Sequence, residues 1–191
     1  EDVMRFLDNV MQDFITRAPD TMASARYSAM RERSVGLGVM GFHSFLQKKR
    51  VAFDSVMAKV WNKRIFSAIK KQADEASIVL ANEKGPCPDA KEYGVNERFS
   101  NKIAIAPTAS ISIICGGASP GIEPIAANSF TQKTLSGSFS VKNPHLKSLL
   151  NEKGQDNEKV WSSITINNGS VQHLDFLDDS EYFHEHKNKK F

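Results

Sequence analysis

Helical and extended patterns alternate along this chain, and the alternation predicts an α/β fold with at least some parallel strands. Three observations carry that expectation. Long stretches repeat apolar residues at i, i+3 and i+4, short β-branched runs lie between them, and Gly or Pro marks most changeovers.

Residues 2–17 place Val3, Phe6, Leu7, Val10, Met11, Phe14 and Ile15 on one stripe, the pattern of an amphipathic helix. Pro19 and Asp20 interrupt it, and a second helical stretch continues to about Arg31. Residues 35–39 suit a short, glycine-rich strand, followed by a helix from about Phe42 to Lys49. The clearest element runs from about Asp54 to Lys84. Val56, Met57, Val60, Trp61, Ile65, Phe66, Ile69, Ala73, Ala76, Val79 and Leu80 mark one face, with Lys63, Arg64, Lys70, Lys71, Asp74 and Glu75 mostly opposite. Asp54 or Ser55 can cap its start, and Gly85 with Pro86 stops it. Such a helix is about 45 Å long, enough to lie along the outside of a large barrel or sheet.

A polar loop over residues 85–98 leads to a short strand holding Ile103 and Ile105, which Pro107 stops. After Pro124 the sequence suits irregular or extended chain. Residues 144–150 suit a helix that Gly154 breaks, residues 158–166 suit helix or strand, and residues 167–170 suit a turn. There is no internal repeat and no low-complexity linker.

The candidate functional residues lie in the stretch KIAIAPTASISIICGGASPGIEP, from Lys102 to Pro124. Behind Pro107 come Thr108, Ala109, Ser110, Ile111 and Ser112, and then a second turn of small residues from Gly116 to Gly121. Three hydroxyls and unencumbered backbone N–H groups just after a strand make a cradle for an anionic oxygen. Charge-assisted hydrogen bonds of this kind are worth roughly 1.5–3 kcal/mol each. A helix starting at the hydroxyls would aim further free N–H groups at the same anion. Ser and Thr are also ordinary turn residues that bond their own backbone, so the residues alone leave both readings open.

Composition excludes several classes. The net charge is only +3 and the 25 basic residues are dispersed, which argues against a dedicated nucleic-acid binder. The densest basic run, Lys187, Lys189 and Lys190 beside His184 and His186, reads as a solvated tail, and that histidine pair is weak evidence for a metal. Cys87 and Cys115 form neither a disulfide framework nor a zinc pattern. Cys87, in GPCP, reads as structural, and Cys115, after Ile113 and Ile114, as a small core residue in a strand-like or buried context. With no long apolar run and no secretory leader pattern, a cytoplasmic protein without membrane contact is expected. Gly36, Gly38 and Gly41 spell G-x-G-x-x-G, but no second strand or ribose-binding acid follows within the needed window, and close packing of a helix on a strand accounts for them better. Both ends are abrupt. Glu1 falls directly before a helical pattern and the final EYFHEHKNKKF still carries helix-spaced aromatics, so the chain reads as a piece of something longer.

Four blocks in order give the combination a family likeness. RERSVGLGVMGFHSFL (31–46) resembles an R-x-x-G-I-G-V-x-G segment, and ASIVLANEKGPCP resembles an A-S-x-x-L-A-x-E-x-G-x-x-P helix close. APTASISIICGGASPGIEP (106–124) resembles a P-T-A-S loop with its downstream I-E-P, and FTQKTLSGSFSVKNPHLKSLL (130–150) resembles a T-x-x-x-L-S-G-x-F-x-x-x-N-x-x-L block. These are segments of the large, catalytic subunit of class I-like ribonucleotide reductases, in the C-terminal half of its catalytic barrel. The resemblance implies a ten-stranded α/β barrel of which residues 1–191 form one partial domain with both termini truncated.

The implied reaction reduces ribonucleoside diphosphates to deoxyribonucleoside diphosphates by radical chemistry, for deoxyribonucleotide biosynthesis and DNA replication. Carried over by position, the P-T-A-S loop assigns Thr108, Ala109, Ser110, Ile111 and Ser112 to the substrate's diphosphate. The implied partners are the remainder of the large subunit, a radical-generating metallo-subunit, thioredoxin or glutaredoxin, and a second large subunit in a homodimer. Nucleoside triphosphate effectors such as ATP would act allosterically on the whole enzyme, and no cofactor or metal is assigned within this chain. The family's radical cysteine, redox pair and catalytic Asn and Glu would precede Glu1, and its relay tyrosines and terminal cysteines would follow Phe191. Cys87 and Cys115 match neither set, so no catalytic residue is assigned. Two other readings stay open: a non-catalytic structural half of a split reductase subunit, and a dinucleotide-binding module using GLGVMG.

Overall fold

In the computed structural model, which describes residues 1–134 and 137–177, the first apolar stripe forms helix α1 (Asp2–Arg17). The chain divides into two units, Glu1–Val39 with Trp61–Ala106, and Met40–Val60 with Pro107–Phe191.

In the first unit a single 3-10 turn (Asp20–Met22) leads from α1 into α2 (Ala23–Glu32), which ends at the left-handed Arg33. Helix α4 (Val56–Lys84) enters this unit at Trp61. Its Ala73, Ala76 and Leu80 join Met4 of α1 and Phe99 in one core, with Leu7, Val35 and Leu37 packed against it. Only part of the α1 stripe is covered: Val3, Phe6 and Val10 stay exposed.

Polar residues tie the same elements together. Asp8 is wholly buried among three cations. Arg33 Nη2 donates to its Oδ1 at 2.7 Å, Arg98 Nε to Oδ1 at 2.9 Å, and Lys84 Nζ to Oδ2 at 2.9 Å. Arg98 also donates to the carbonyls of Lys84 and Gly85, and Arg33 to Gln12 Oε1, so both guanidinium groups are well satisfied. Lys102 bridges Asp74 and Glu97.

The two expected strands of this unit do meet in parallel, but as one isolated bridge, Leu37 opposite Ile103. Leu37 N donates to Lys102 O at 2.9 Å and Ala104 N to Leu37 O at 3.2 Å. A Cβ at Gly38 would stand 2.7 Å from Ala104 O. Gly38 therefore lets two extended backbones approach, where the sequence predicted a helix packing on a strand. The expected polar loop over 85–98 also needs correction, because it holds helix α5 (Pro88–Glu92). Pro88 suits the first helical position, where its missing N–H costs nothing, and the buried Cys87 precedes it.

The second unit opens with α3 (Phe42–Lys48) and the start of α4. Of the two caps expected for α4, Ser55 is used: its Oγ accepts from Ala58 N at 3.1 Å. Val56, Met57 and Val60 are exposed, so the apolar face predicted for α4 is not covered at its first turns, where Ala58 is the buried residue. A one-and-a-half-turn helix α6 (Ala109–Ile114) follows Pro107. The stretch expected to be irregular or extended forms a β-hairpin, β1 (Ser129–Thr134) antiparallel to β2 (Gly137–Lys142), with Phe130 opposite Val141. Aromatic and β-branched cross-strand neighbours favour this pairing.

Helices α7 (Pro144–Glu152) and α8 (Glu158–Ile166) are each capped by an asparagine: Asn143 Oδ1 accepts from His145 N, and Asn157 Oδ1 from Val160 N. Their inner faces build the larger core, with Leu146, Leu150 and Ile164 wholly buried beside Trp161 and Val171. Each such aliphatic side chain contributes roughly 1.5–3 kcal/mol by leaving water. Beside that core, Asn143 Nδ2 donates to Asn128 Oδ1 at 2.8 Å and Asn128 Nδ2 to Gly169 O at 3.0 Å, which fixes the start of β1 against the turn after α8. The C-terminal stretch with His184, His186, Lys187, Lys189 and Lys190 lies outside the described residues. Among the described residues no helix is long and apolar enough to cross a membrane.

Candidate functional site

The turn that the sequence singled out is built in the second unit, at the start of α6. Thr108 stands before that helix in the left-handed region, φ 52° and ψ 27°. This conformation is unusual for a β-branched residue and costs on the order of 1–3 kcal/mol. A specific bond opposes that strain: Thr108 Oγ1 accepts from Gly121 N at 2.7 Å.

Ala109, Ser110 and Ile111 occupy the first turn of α6 and are exposed. Their N–H groups precede the first helical hydrogen bond, made by Ser112 N to Thr108 O at 2.9 Å, and they have no protein acceptor among the described residues. The Ser110 hydroxyl likewise makes no protein hydrogen bond there. Ser112 sits beneath the turn instead. It is buried, its Oγ donates to Ala109 O at 3.0 Å, and its carbonyl accepts from Ala118 N at 3.0 Å. The five predicted residues therefore share one turn, with three presenting donors outward and two, Thr108 and Ser112, holding its shape.

The turn's own segment contributes dipoles rather than charges, since residues 103–122 contain no charged side chain. Six helical residues add little macrodipole, so individual N–H and O–H groups would do the binding. Among the described residues no group of three or more His, Cys, Asp or Glu could hold a metal ion.

The residues that sequence reasoning missed lie behind the turn. Ser119 is wholly buried and exchanges two bonds with Ser44 of α3: Ser44 N donates to Ser119 Oγ at 3.1 Å, and Ser119 N to Ser44 Oγ at 2.9 Å. Gly41 N donates to Ser119 O at 2.8 Å. No local spacing could reveal a pair 75 residues apart. Cys115 corrects a second expectation: it is exposed and closes α6 rather than lying in a strand or core. With Ser112 as the helix's inward residue, Ile111, Ile113 and Ile114 also face outward, Ile114 being 82% exposed. Cys87, read as structural, is buried. As for G-x-G-x-x-G, α3 is followed directly by α4, so the second strand of a nucleotide-binding βαβ unit does not form over residues 42–84.

With this geometry in view, the comparisons with known proteins are specific. The family description "Ribonucleotide reductase, barrel domain" matches residues 1–97 and 89–185. The ribonucleoside-diphosphate reductase large subunit of Invertebrate iridescent virus 3 is 48% identical over 179 residues, covering 92% of this chain and 28% of that protein. The corresponding subunit of Invertebrate iridescent virus 6 is 46% identical over 176 residues, covering 91% of this chain and 18% of that protein. The solved class Id ribonucleotide reductase alpha subunit of Actinobacillus ureae superposes with a TM-score of 0.84 at 40% identity, covering 95% of this chain and 33% of that one. This chain thus spans about a third or less of the length of the proteins it matches. Match, identity and shared fold agree, and the chain belongs to the ribonucleotide reductase barrel-domain family.

Proposed function

We propose that this chain supplies the loop that grips the substrate diphosphate in ribonucleoside-diphosphate reductase. The observation that supports it is the cluster of outward donors on one turn: the N–H groups of Ala109, Ser110 and Ile111 with the Ser110 hydroxyl, set by the left-handed Thr108. A diphosphate presents several charged oxygens within a few ångströms, and each charge-assisted bond contributes roughly 1.5–3 kcal/mol. Ser112 serves the same site from below by holding the Ala109 carbonyl.

In the whole enzyme the chain forms part of a ten-stranded α/β barrel, and the loop holds the ribonucleotide while a cysteine radical removes the ribose 3′ hydrogen and a cysteine pair supplies the reducing electrons. Those cysteines come from other parts of the large subunit. The radical comes from a metallo-subunit, and thioredoxin or glutaredoxin restores the cysteine pair. The assembly is a homodimer of large subunits, regulated by nucleoside triphosphates and located in the cytoplasm.

The test is a double variant, Thr108→Val with Ser110→Ala, in the complete large subunit. The KM or Kd for the diphosphate substrate should rise, corresponding to a loss of on the order of 1–3 kcal/mol per satisfied bond removed. Unchanged affinity for the diphosphate would sink the assignment.

A further inference from the structure

We propose that Ser44 and Ser119 form a capping box between two distant segments and act as positioning residues for the anion loop. The inference rests on the reading of residues 108–112 as a diphosphate grip.

Gly41 precedes α3 at φ 81° and has no side chain to cap the first turn. Ser119 takes that role from elsewhere in the sequence. Its Oγ accepts the N–H of Ser44, the third residue of α3, while Ser44 Oγ accepts the N–H of Ser119. This is the reciprocal pattern that Ser or Thr and a Glu or Gln three residues on usually make within one local segment. The carbonyl of Ser119 also accepts from Gly41 N. The N–H, the carbonyl and the hydroxyl oxygen of Ser119 are thereby each engaged by Gly41 or Ser44.

What Ser119 holds in place is the support of the grip. Two residues further on, Gly121 N donates to Thr108 Oγ1, and one residue before, Ala118 N donates to Ser112 O. Both ends of the turn 108–112 hang on the segment that the serine pair seats on α3. Thr108 keeps its unfavourable left-handed conformation only while Gly121 is in place, and that conformation directs the N–H groups of Ala109, Ser110 and Ile111. A shift of a few tenths of an ångström in residue 119 would therefore misalign donors that residue 119 never touches. Misaligned donors weaken binding of the charged group without altering the reacting centre.

The experiment uses the complete large subunit with its radical-generating partner, and measures Kd for cytidine diphosphate and for cytidine, with kcat at saturating substrate. For Ser119→Ala and Ser44→Ala we expect the diphosphate Kd to rise about 5- to 10-fold, with cytidine affinity and kcat changed by less than about twofold. Ser44→Thr keeps the hydroxyl and should bind the diphosphate like the unmodified protein. Ser44 is only half-buried, so Ser44→Ala carries the test if Ser119→Ala does not fold. Unchanged diphosphate affinity in Ser44→Ala, or equal loss for cytidine and its diphosphate, overturns the proposal. Loss in Thr108→Val with Ser110→Ala but not in the serine variants overturns this inference alone. No loss in either set overturns the loop reading beneath it.

Discussion

Asp8 shows how one carboxylate can govern a neighbourhood. Burial alone pushes its pKa up, but the hydrogen bonds from Arg98, Lys84 and Arg33 outweigh that effect and hold it at about 2, against an ordinary 3.8. A folded-state pKa below the unfolded one gives stability that is complete above the unfolded value. That stability drains away as pH falls from 3.8 towards about 2. Asp8→Asn should cost on the order of 3–5 kcal/mol at neutral pH, because it leaves two buried guanidinium groups without a counter-ion. Hydrogen exchange of the α1 amides in the complete subunit would read this as a loss of protection, and in the unmodified subunit the same loss should begin only below pH 3.8. None of this was legible in the sequence. Asp8 sits inside an apolar stripe and Arg98 is 90 residues away, so the charge that decides the matter has no local signature. Thr108, Ala109, Ser110, Ile111 and Ser112 were legible as a hydroxyl turn because those residue types cluster within five positions.

At the scale of elements, four helices followed their patterns closely because apolar periodicity is local, whereas α5 arose inside an expected loop. The ends of α1, α3, α4 and α7 fall within about two residues of expectation. Extended segments were harder, for two different reasons. The hairpin of β1 and β2 has no Asn-Gly or Asp-Gly turn to announce it, and the parallel contact at Leu37 shrank to one bridge. That bridge yields a clean test. Gly38→Ala would drive a methyl into Ala104 O and cost on the order of 1–3 kcal/mol. The Ala104 amide, which donates to Leu37, should then exchange faster in the complete subunit, while amides of α7 and α8 should not. Equal effects in both places would mean that the strand contact is not what Gly38 serves.

For the molecule as a whole, the covered and uncovered surfaces tell a consistent story. The cores around Leu80 and around Leu150 are well formed, yet Phe6 is 65% exposed and Ile105 is 70% exposed. Relatives that extend about three times as far supply ample chain to cover such faces. The isolated 191-residue chain should therefore melt in a broad, weakly cooperative transition and bind a hydrophobic dye, whereas the complete subunit should do neither. A sharp transition in the isolated chain would contradict this. The apolar faces predicted for α1 and α4 are only partly covered, with Val3, Phe6, Val10, Val56, Met57 and Val60 exposed. Periodicity reports that a face is meant to be buried; it does not say that the burying partner is present.

The serine pair that seats residue 119 on α3 also has a consequence in time. A helix of seven residues is too short to persist alone, and its cap lies 75 residues further along the chain. During synthesis α3 must wait for that distant segment to emerge, so it and the 108–112 turn should consolidate together and late, after α4 has formed from its own local contacts. The order in which this protein becomes itself is then written into one pair of hydroxyls: the hydroxyl turn and the helix it leans on arrive as a single event.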